Sequence, residues 1–419
     1  MLKLLVLADD FTGALDTGVQ FSSQGIQTMV TTDKAIDFTK IADNVEVLVI
    51  DTESRYLSFD DSYETIQKIV KHAKSAGISR YYKKIDSALR GNVSSEIKAL
   101  LDAFPEENLA LVPAYPAIQR VVRNGKLFID NVLVSESIFA KDPYEPVIES
   151  DIAKRLNLEA GIELSLSGSK DFPIFDKQLI LFDSETDEDL RDIAAYLHQN
   201  NKLQIAIGCA GFAKYLVKQL FSEEEVQIPQ LTAPLVVICG SVNHITRRQI
   251  DFAEQKGNLR ISLSAQELLD TGYWYSIEGQ EKLATYIPSI QNADLAIFET
   301  LSEETTRDIL AYGEDKRLDR NDIRFRIGKS LGELTEQLFE KRLDRTYLFT
   351  GGDTLYQTME VLKIDQIKPI CEIGSGIVLA ELKWKDQVIS VITKSGGFGQ
   401  PELFEDIKQM IKKEEVYVS

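Results

Sequence analysis

The sequence predicts an α/β protein of two domains, each a mostly parallel sheet flanked by helices, with a cleft between them. Three observations predict it. Short apolar runs alternate with polar or glycine turns and then with segments of 3.6-residue period, the pattern of strands joined by helical crossovers. The stretch Phe221–Pro234 carries Glu223-Glu224-Glu225, Pro229 and Pro234 and no clear periodicity, so it reads as a linker dividing 1–228 from 229–419. A chain of 419 residues, 44% of them hydrophobic, is long and apolar enough for two cores, since domains run to about 100–200 residues.

The strands expected in chain order are Lys3–Ala8, Val45–Asp51, Leu109–Pro113, Gln204–Ile207, Leu235–Gly240, Leu295–Glu299, Tyr347–Thr350 and Val388–Thr393. The stretch Lys141–Lys177 shows little pattern beyond one helix near Asp151–Leu158. Neither an internal repeat nor a low-complexity tract is visible.

A net charge of −19 excludes nucleic acid and anionic membranes as partners, because phosphate-rich surfaces require a basic face. No apolar run approaches the roughly 18 residues of a membrane helix, and the run Leu4–Ala8 ends at two aspartates, too short for a signal peptide. Cys209, Cys239 and Cys371 are far apart and form no C-x-x-C pair, which fits buried thiols in a reducing cytoplasm. His72, His198 and His244 share no metal-ligand spacing, and no metal ligands are assigned.

In the first half, four segments follow strand ends, where open α/β sheets bind ligands. Ala8-Asp9-Asp10-Phe11-Thr12-Gly13 leads into a helix marked by Leu15 and Val19; either aspartate could bond hydroxyls, or cap the helix. Asp51-Thr52-Glu53-Ser54-Arg55 supplies a guanidinium suited to a carboxylate. Tyr81 to Asn92 crowds Lys83, Lys84, Asp86, Ser87 and Arg90 into a strand-to-helix turn before the stripe Ile97, Leu100, Leu101, Phe104. Its cations suit an acidic ligand, and Asp86 could accept a hydroxyl proton. The proline-fixed loop Val112-Pro113-Ala114-Tyr115-Pro116 continues to Arg120 and Arg123, which could extend the anion site.

In the second half, three turns share one design: apolar strand, glycine loop, helix. They are Ser241-Val242-Asn243-His244 after the strand ending at Gly240, Gly351-Gly352-Asp353-Thr354, and Lys394 through Gly399; Gly374-Ser375-Gly376 adds a fourth glycine turn. Glycine lets backbone approach a phosphate, and helix N-termini present free N–H groups to it. Three such turns together suggest one nucleotide cleft. The chain has neither G-x-x-x-x-G-K-[ST] nor G-x-G-x-x-G after its first strand, which argues against a Walker-type ATPase and a dinucleotide-binding dehydrogenase.

ADDFTGALD, KKIDSALRGN, the VPAYP loop, GSVNHITRRQI, TGGDT and TKSGGFG occur in this order over nearly the whole chain. Together they resemble the four-carbon acid sugar kinase family, whose members phosphorylate D-threonate, D-erythronate or 3-oxo-tetronates with ATP. The resemblance implies a sugar-acid-binding domain at 1–228 and a nucleotide-binding domain at 229–419. Its sugar site would use Asp10, Arg55, Lys83, Lys84, Asp86 and Ser87. Its ATP site would use Ser241, Gly351, Gly352, Asp353, Thr354, Gly397 and Gly399. Two departures, Asn243 in place of a small hydroxyl residue and Gln119-Arg120 where the family shows glycine-arginine, leave the particular acid open.

On this reading Arg55, Lys83 and Lys84 hold the substrate carboxylate, and Asp10 and Ser87 orient hydroxyls. Asp86 or Asp353 takes the proton, with Asp353 alternatively holding Mg²⁺ through water. The partners are a small sugar acid and ATP, in the cytoplasm, and self-association is compatible with the sequence. The alternatives are a non-catalytic sensor of sugar acid and nucleotide, and a kinase of another small hydroxy acid.

Overall fold

The computed structural model describes residues 2–142, 145–168, 177–222, 225–226, 228–229, 231, 234–240, 243–300, 303–343, 345–395 and 397–413, with backbone alone at 303–305. The chain divides into two compact units, Met1–Val226 and Gln227–Ser419.

The first unit runs β1 (Leu4–Ala8), α1 (Phe11–Ser22), β2 (Thr28–Thr31), β3 (Val47–Asp51), α2 (Phe59–Ser75), β4 (Tyr81–Lys84), α3 (Val93–Ala103) and β5 (Leu109–Val112). A small antiparallel sheet follows, β6 (Arg120–Arg123), β7 (Lys126–Ile129) and β8 (Val132–Leu133). Then come α4 (Ile152–Ala160), β9 (Leu164–Ser167), β10 (Leu179–Phe182), α5 (Asp187–Gln199), β11 (Ile205–Gly208) and α6 (Ala210–Leu220). The main sheet has the order β2-β3-β1-β4-β11-β5-β10-β9, and every pairing in it is parallel. Strands β1, β3, β4, β5, β10 and β11 are buried along their whole length, as expected of a parallel sheet covered on both faces.

The second unit runs β12 (Leu235–Cys239), α7 (His244–Gln255), β13 (Leu259–Ser262), α8 (Ala265–Leu269), α9 (Ile277–Asn292), β14 (Leu295–Glu299), α10 (Glu303–Asp315) and α11 (Arg320–Glu340). It continues with β15 (Thr346–Thr350), α12 (Gly352–Leu362), β16 (Gln366–Gly374), β17 (Ile377–Trp384), β18 (Gln387–Lys394) and α13 (Leu403–Lys413). Its strands lie in the order β13-β14-β12-β15-β18-β17-β16, parallel from β13 to β18 and antiparallel through the two final hairpins.

Both units open with the same arrangement. The chain leaves the first strand to one side, adds the second and third strands there, and returns to place the fourth on the first strand's other flank. The direction of winding therefore reverses between β1 and β4 in one unit and between β12 and β15 in the other. The carboxyl ends of strands at such a reversal diverge and leave a crevice for ligand. The sequence contains no repeat, so the likeness lies in topology alone.

Several elements escape the sequence pattern. Strands β2, β9 and β10 are only four residues long, and β16–β17 is an antiparallel hairpin inside a region read as parallel. Pro369 sits in β16 where the register with β17 shifts, a place where the missing N–H costs no ladder bond. The helix expected near Asp151–Leu158 is α4, capped by Asp151 on the Lys154 N–H at 3.0 Å and closed by Gly161 at φ 65°. The three cysteines are buried and form no disulfide with one another. No helix among the described residues is long and apolar enough to cross a membrane.

Candidate active site

In the first unit, the crevice between β1 and β4 is lined by charge. Asp9 and Asp10 follow β1, Arg55 follows β3, and Lys84 closes β4. Asp9 Oδ2 accepts from Arg55 Nε at 2.7 Å and lies 2.7 Å from Nη2, while Arg55 Nη1 meets Asp10 Oδ2 at 2.8 Å. Lys84 Nζ sits 3.6 Å from Asp9 and 3.9 Å from Asp10. Asp10 also caps α1, accepting from the Gly13 N–H at 3.0 Å. Asp10 therefore both caps α1 and joins the charged cluster.

Two glycines make room for these cations. A Cβ on Gly13 would collide with the Lys84 ammonium and the Asp10 carboxylate. Gly91, at φ 79°, lies where a Cβ would come within 2.8 Å of Arg55 Cγ.

Asp86 sits in the turn after β4, 6% exposed. Its Oδ2 accepts from Arg90 Nε at 2.9 Å and from the Ala88 and Arg90 N–H groups at 3.2 Å, and its Oδ1 accepts from Arg90 Nη2 at 3.0 Å. Burial pushes this carboxyl up, but Arg55 and Arg90 outweigh it and hold Asp86 well below the usual carboxylate range. Asp9 is likewise lowered: its burial is outweighed by Arg55 and Lys84. Lys84 is raised, because Asp9 and Asp10 outweigh its burial. Beside them Asp51, buried against Glu53, is pushed well above the usual range, mainly by burial.

Lys83 departs from the sequence expectation. Neighbouring strand residues point to opposite faces, and the fully buried Lys83 ammonium meets Glu96 at 3.1 Å and the carbonyls of Leu7 at 3.2 Å and Lys84 at 2.8 Å. Glu96 also accepts from the Ser54 hydroxyl, which is 2.7 Å from Thr52 Oγ1, itself donating to Ala8 C=O at 2.7 Å. This chain of polar groups ties β1, β3, β4 and α3 together. Lys83 is thus part of the scaffold under the crevice, and Arg55 is committed to the protein's own carboxylates. Ser87 accepts from Arg120 Nη1. Arg90, four residues after Asp86 and unassigned in the motif, joins the cluster through Asp86 and Asp142.

In the second unit the glycine turns follow β12, β15 and β18, three neighbouring parallel strands. They converge. The Gly351 N–H donates to Lys394 C=O at 2.8 Å, a Cβ on Gly397 would touch Asn243 at 3.9 Å, and Gln249 Nε2 of α7 donates to Phe398 C=O at 3.0 Å and Gln400 C=O at 3.1 Å. The fourth turn joins them, since Gly376 C=O accepts from the Ser395 N–H at 3.2 Å. Gly351 has φ 89° and no side-chain bond caps α12; N–H groups in the first turn of a helix have no partner within the helix. Asn243 caps α7 through the Ile245 N–H at 2.8 Å, which gives the departure at that position a structural role. Ser241 lies outside the described residues.

Asp353 is exposed at the start of α12 and ion-paired with Arg324. Thr354 turns its hydroxyl back onto Thr350 C=O at 3.0 Å and its N–H onto Gly351 C=O at 3.2 Å. Lys394, 1% exposed, donates to Thr246 Oγ1 and Ser395 C=O at 3.1 Å. Burial lowers it to about 8. It stands directly before the glycine run, a position the sequence analysis did not weigh. Among the described residues no group of three or more His, Cys, Asp or Glu side chains is placed to hold a metal.

Comparison with known proteins agrees with this division. Residues 4–216 match the model of a sugar-binding N-terminal domain, and residues 236–404 that of a nucleotide-binding C-terminal domain. The chain is similar to a D-threonate kinase of Salmonella typhimurium, 27% identical with 99% of each chain covered. It is also similar to a 3-oxo-tetronate kinase of Actinobacillus succinogenes, 23% identical over 96% of this chain and 98% of the other. A crystal structure of a Haemophilus influenzae protein shares the fold at a TM-score of 0.75, with 20% identity, 97% of this chain and all of the other covered. The chain belongs to the four-carbon acid sugar kinase family.

Proposed function

We propose that this chain transfers the γ-phosphoryl group of ATP to a hydroxyl of a four-carbon sugar acid of the threonate, erythronate or 3-oxo-tetronate type. The observation that carries the reading is the buried charged cluster between β1 and β4. A site that spends three cations and three carboxylates on one small crevice suits a polyhydroxylated anion rather than an apolar ligand.

In this reading the crevice of the first unit takes the sugar acid. Asp10 and Ser87 bond its hydroxyls, while Arg55 and Lys84 hold the carboxylates of Asp9 and Asp10 in place. Asp86 Oδ1 accepts the reacting hydroxyl. A carboxylate of such low proton affinity is a weak base, so it orients the nucleophile and takes the proton late, after the new P–O bond has largely formed. The γ-phosphorus bond to the bridging oxygen breaks, the hydroxyl oxygen bonds phosphorus, and ADP leaves with the bridging oxygen.

The glycine turns of the second unit fit a nucleotide's phosphates. Gly351 and Gly352 give the backbone access, the uncapped start of α12 and the Gly397–Gly399 backbone supply N–H groups, and Lys394 supplies positive charge from beneath. Mg²⁺, when bound with ATP, neutralises phosphate charge; Asp353 would approach it through water. The buried thiols suit a reducing cytoplasm.

The test is ADP release with ATP and a panel of D-threonate, D-erythronate and 3-oxo-tetronates, with the product identified by NMR. Acid-dependent ADP release and a phosphorylated acid are expected. Binding of both ligands without ADP release would mark a sensor instead.

A further inference from the structure

We propose that Arg120, not Arg55 or the lysines, is the residue that receives the substrate's carboxylate and makes the site select an acid over a neutral polyol. The proposal rests on the reading of the first unit as a sugar-acid site.

The argument is one of elimination by pairing. Arg55 is committed to Asp9 and Asp10, Lys84 lies between the same two carboxylates, Lys83 is paired with Glu96, and Arg90 is shared between Asp86 and Asp142, the latter at 3.3 Å. Arg120 alone among the cations of this cluster forms no ion pair with a described residue. One nitrogen, Nη1, donates to Ser87, and the remaining N–H groups of the fork make no hydrogen bond to described residues. A half-buried guanidinium without a counterion is costly, and burial lowers its proton affinity despite Asp86 nearby. A ligand carboxylate would supply the missing charge.

The fork is also held ready. The Tyr115 N–H donates to Arg120 C=O at 2.7 Å, and the Arg120 N–H to Tyr115 C=O at 3.1 Å, closing the proline loop into a tight turn through Gln119 at φ 56°. The Arg120 and Arg90 guanidiniums both lie over the Phe139 ring, their Cζ atoms 5.0 and 5.2 Å from its centroid. That contact holds the guanidinium, whose N–H groups lie in its own plane and match a carboxylate through two parallel bonds. Since Ser87 stands between Arg120 and the Asp86 turn, an acid bound here presents its hydroxyls toward Asp86.

Arg120→Gln and Arg120→Lys test this. For each, kcat/KM is measured with a four-carbon acid and with its amide. Arg120→Gln is expected to raise KM for the acid and to cut the acid's advantage over the amide by about 10- to 100-fold, the range of one lost bond to a charged group. Arg120→Lys, a point charge without the fork, should recover part of it, and guanidinium ion should partly rescue Arg120→Ala. An unchanged acid-to-amide ratio in a folded Arg120→Gln protein would overturn the assignment. Wild-type protein inactive on every acid would instead overturn the kinase reading itself.

Discussion

The two crevices occupy the same topological position in their units and are built from opposite materials. Between β1 and β4 the work is done by side-chain charges: Asp9, Arg55, Lys84 and Asp86 are each at most 6% exposed and already paired. Between β12 and β15 it falls to backbone: Gly351 at positive φ and an uncapped helix start, with the buried cation Lys394 beside them. On the proposed assignment, the difference teaches how one fold meets two anions. A small acid with several hydroxyls needs fixed donors and acceptors set before it arrives, so the protein neutralises its own charges in place and leaves one guanidinium open. A polyphosphate offers many equivalent oxygens, and a ring of N–H groups suffices.

The largest expected effect contrasts the two crevice aspartates. Asp86→Asn should lower kcat by about 100- to 10,000-fold, the usual range for a proton acceptor. Asp353→Asn, at an exposed residue, should act mainly on KM for ATP and by about tenfold or less, as one solvent-screened contact does. Steady-state kinetics with both ligands varied decides, and equal losses in kcat would erase the distinction between the crevices.

Next in size is the scaffold beneath the first crevice. Lys83→Met leaves Glu96 buried without its cation, a change that costs about 3–5 kcal/mol. At about 2–4 °C per kcal/mol for units of this size, the melting temperature should fall by about 10 °C, with selectivity among acids kept. A selectivity change without destabilisation would return Lys83 to the binding site.

Gly351→Ala should weaken ATP binding by about tenfold, because left-handed backbone costs an L-residue about 1–2 kcal/mol, and should leave acid binding alone. Calorimetric titration of each ligand checks both halves.

The smallest effect concerns pH. Lys394 has its folded value lowered from 10.5 to about 8, so between those values the unfolded chain binds the extra proton and stability of the second unit rises with pH. Asp9 and Asp86, lowered from 3.8, stabilise the first unit above about pH 4 and lose that contribution as pH falls below it. Lys394→Met should flatten the alkaline rise and leave the acid limb unchanged in pH-dependent denaturant melts.

Much of this was legible in the sequence. Strand–glycine–helix spacing located all three turns of the second unit, and Asp10, Arg55, Lys84, Asp86 and Ser87 do meet around one crevice. What spacing could not tell is where a charge is spent. Lys83 and Lys84 are adjacent in sequence and point to opposite faces of β4, and only the position of Glu96 on α3 reveals that one of them is internal. Arg55 reads as an anion receptor until Asp9 and Asp10 are found already holding it. Arg120 lay in a loop whose closure onto Tyr115 depends on the backbone at Gln119. The short strands β2 and β9 were hidden because their four residues mix polar with apolar side chains, unlike the apolar runs of the equally short β5 and β11.

Hydrogen exchange on the intact protein, with the sugar acid alone and then with an ATP analogue alone, bears most directly on the division of labour. The acid should protect amides near Asp9–Gly13, Asp86–Arg90 and Tyr115–Arg120, while the analogue should protect Gly351–Thr354 and Gly397–Gly399. An acid that protects the glycine turns, or a nucleotide that protects the charged crevice, would contradict the assignment of the two sites.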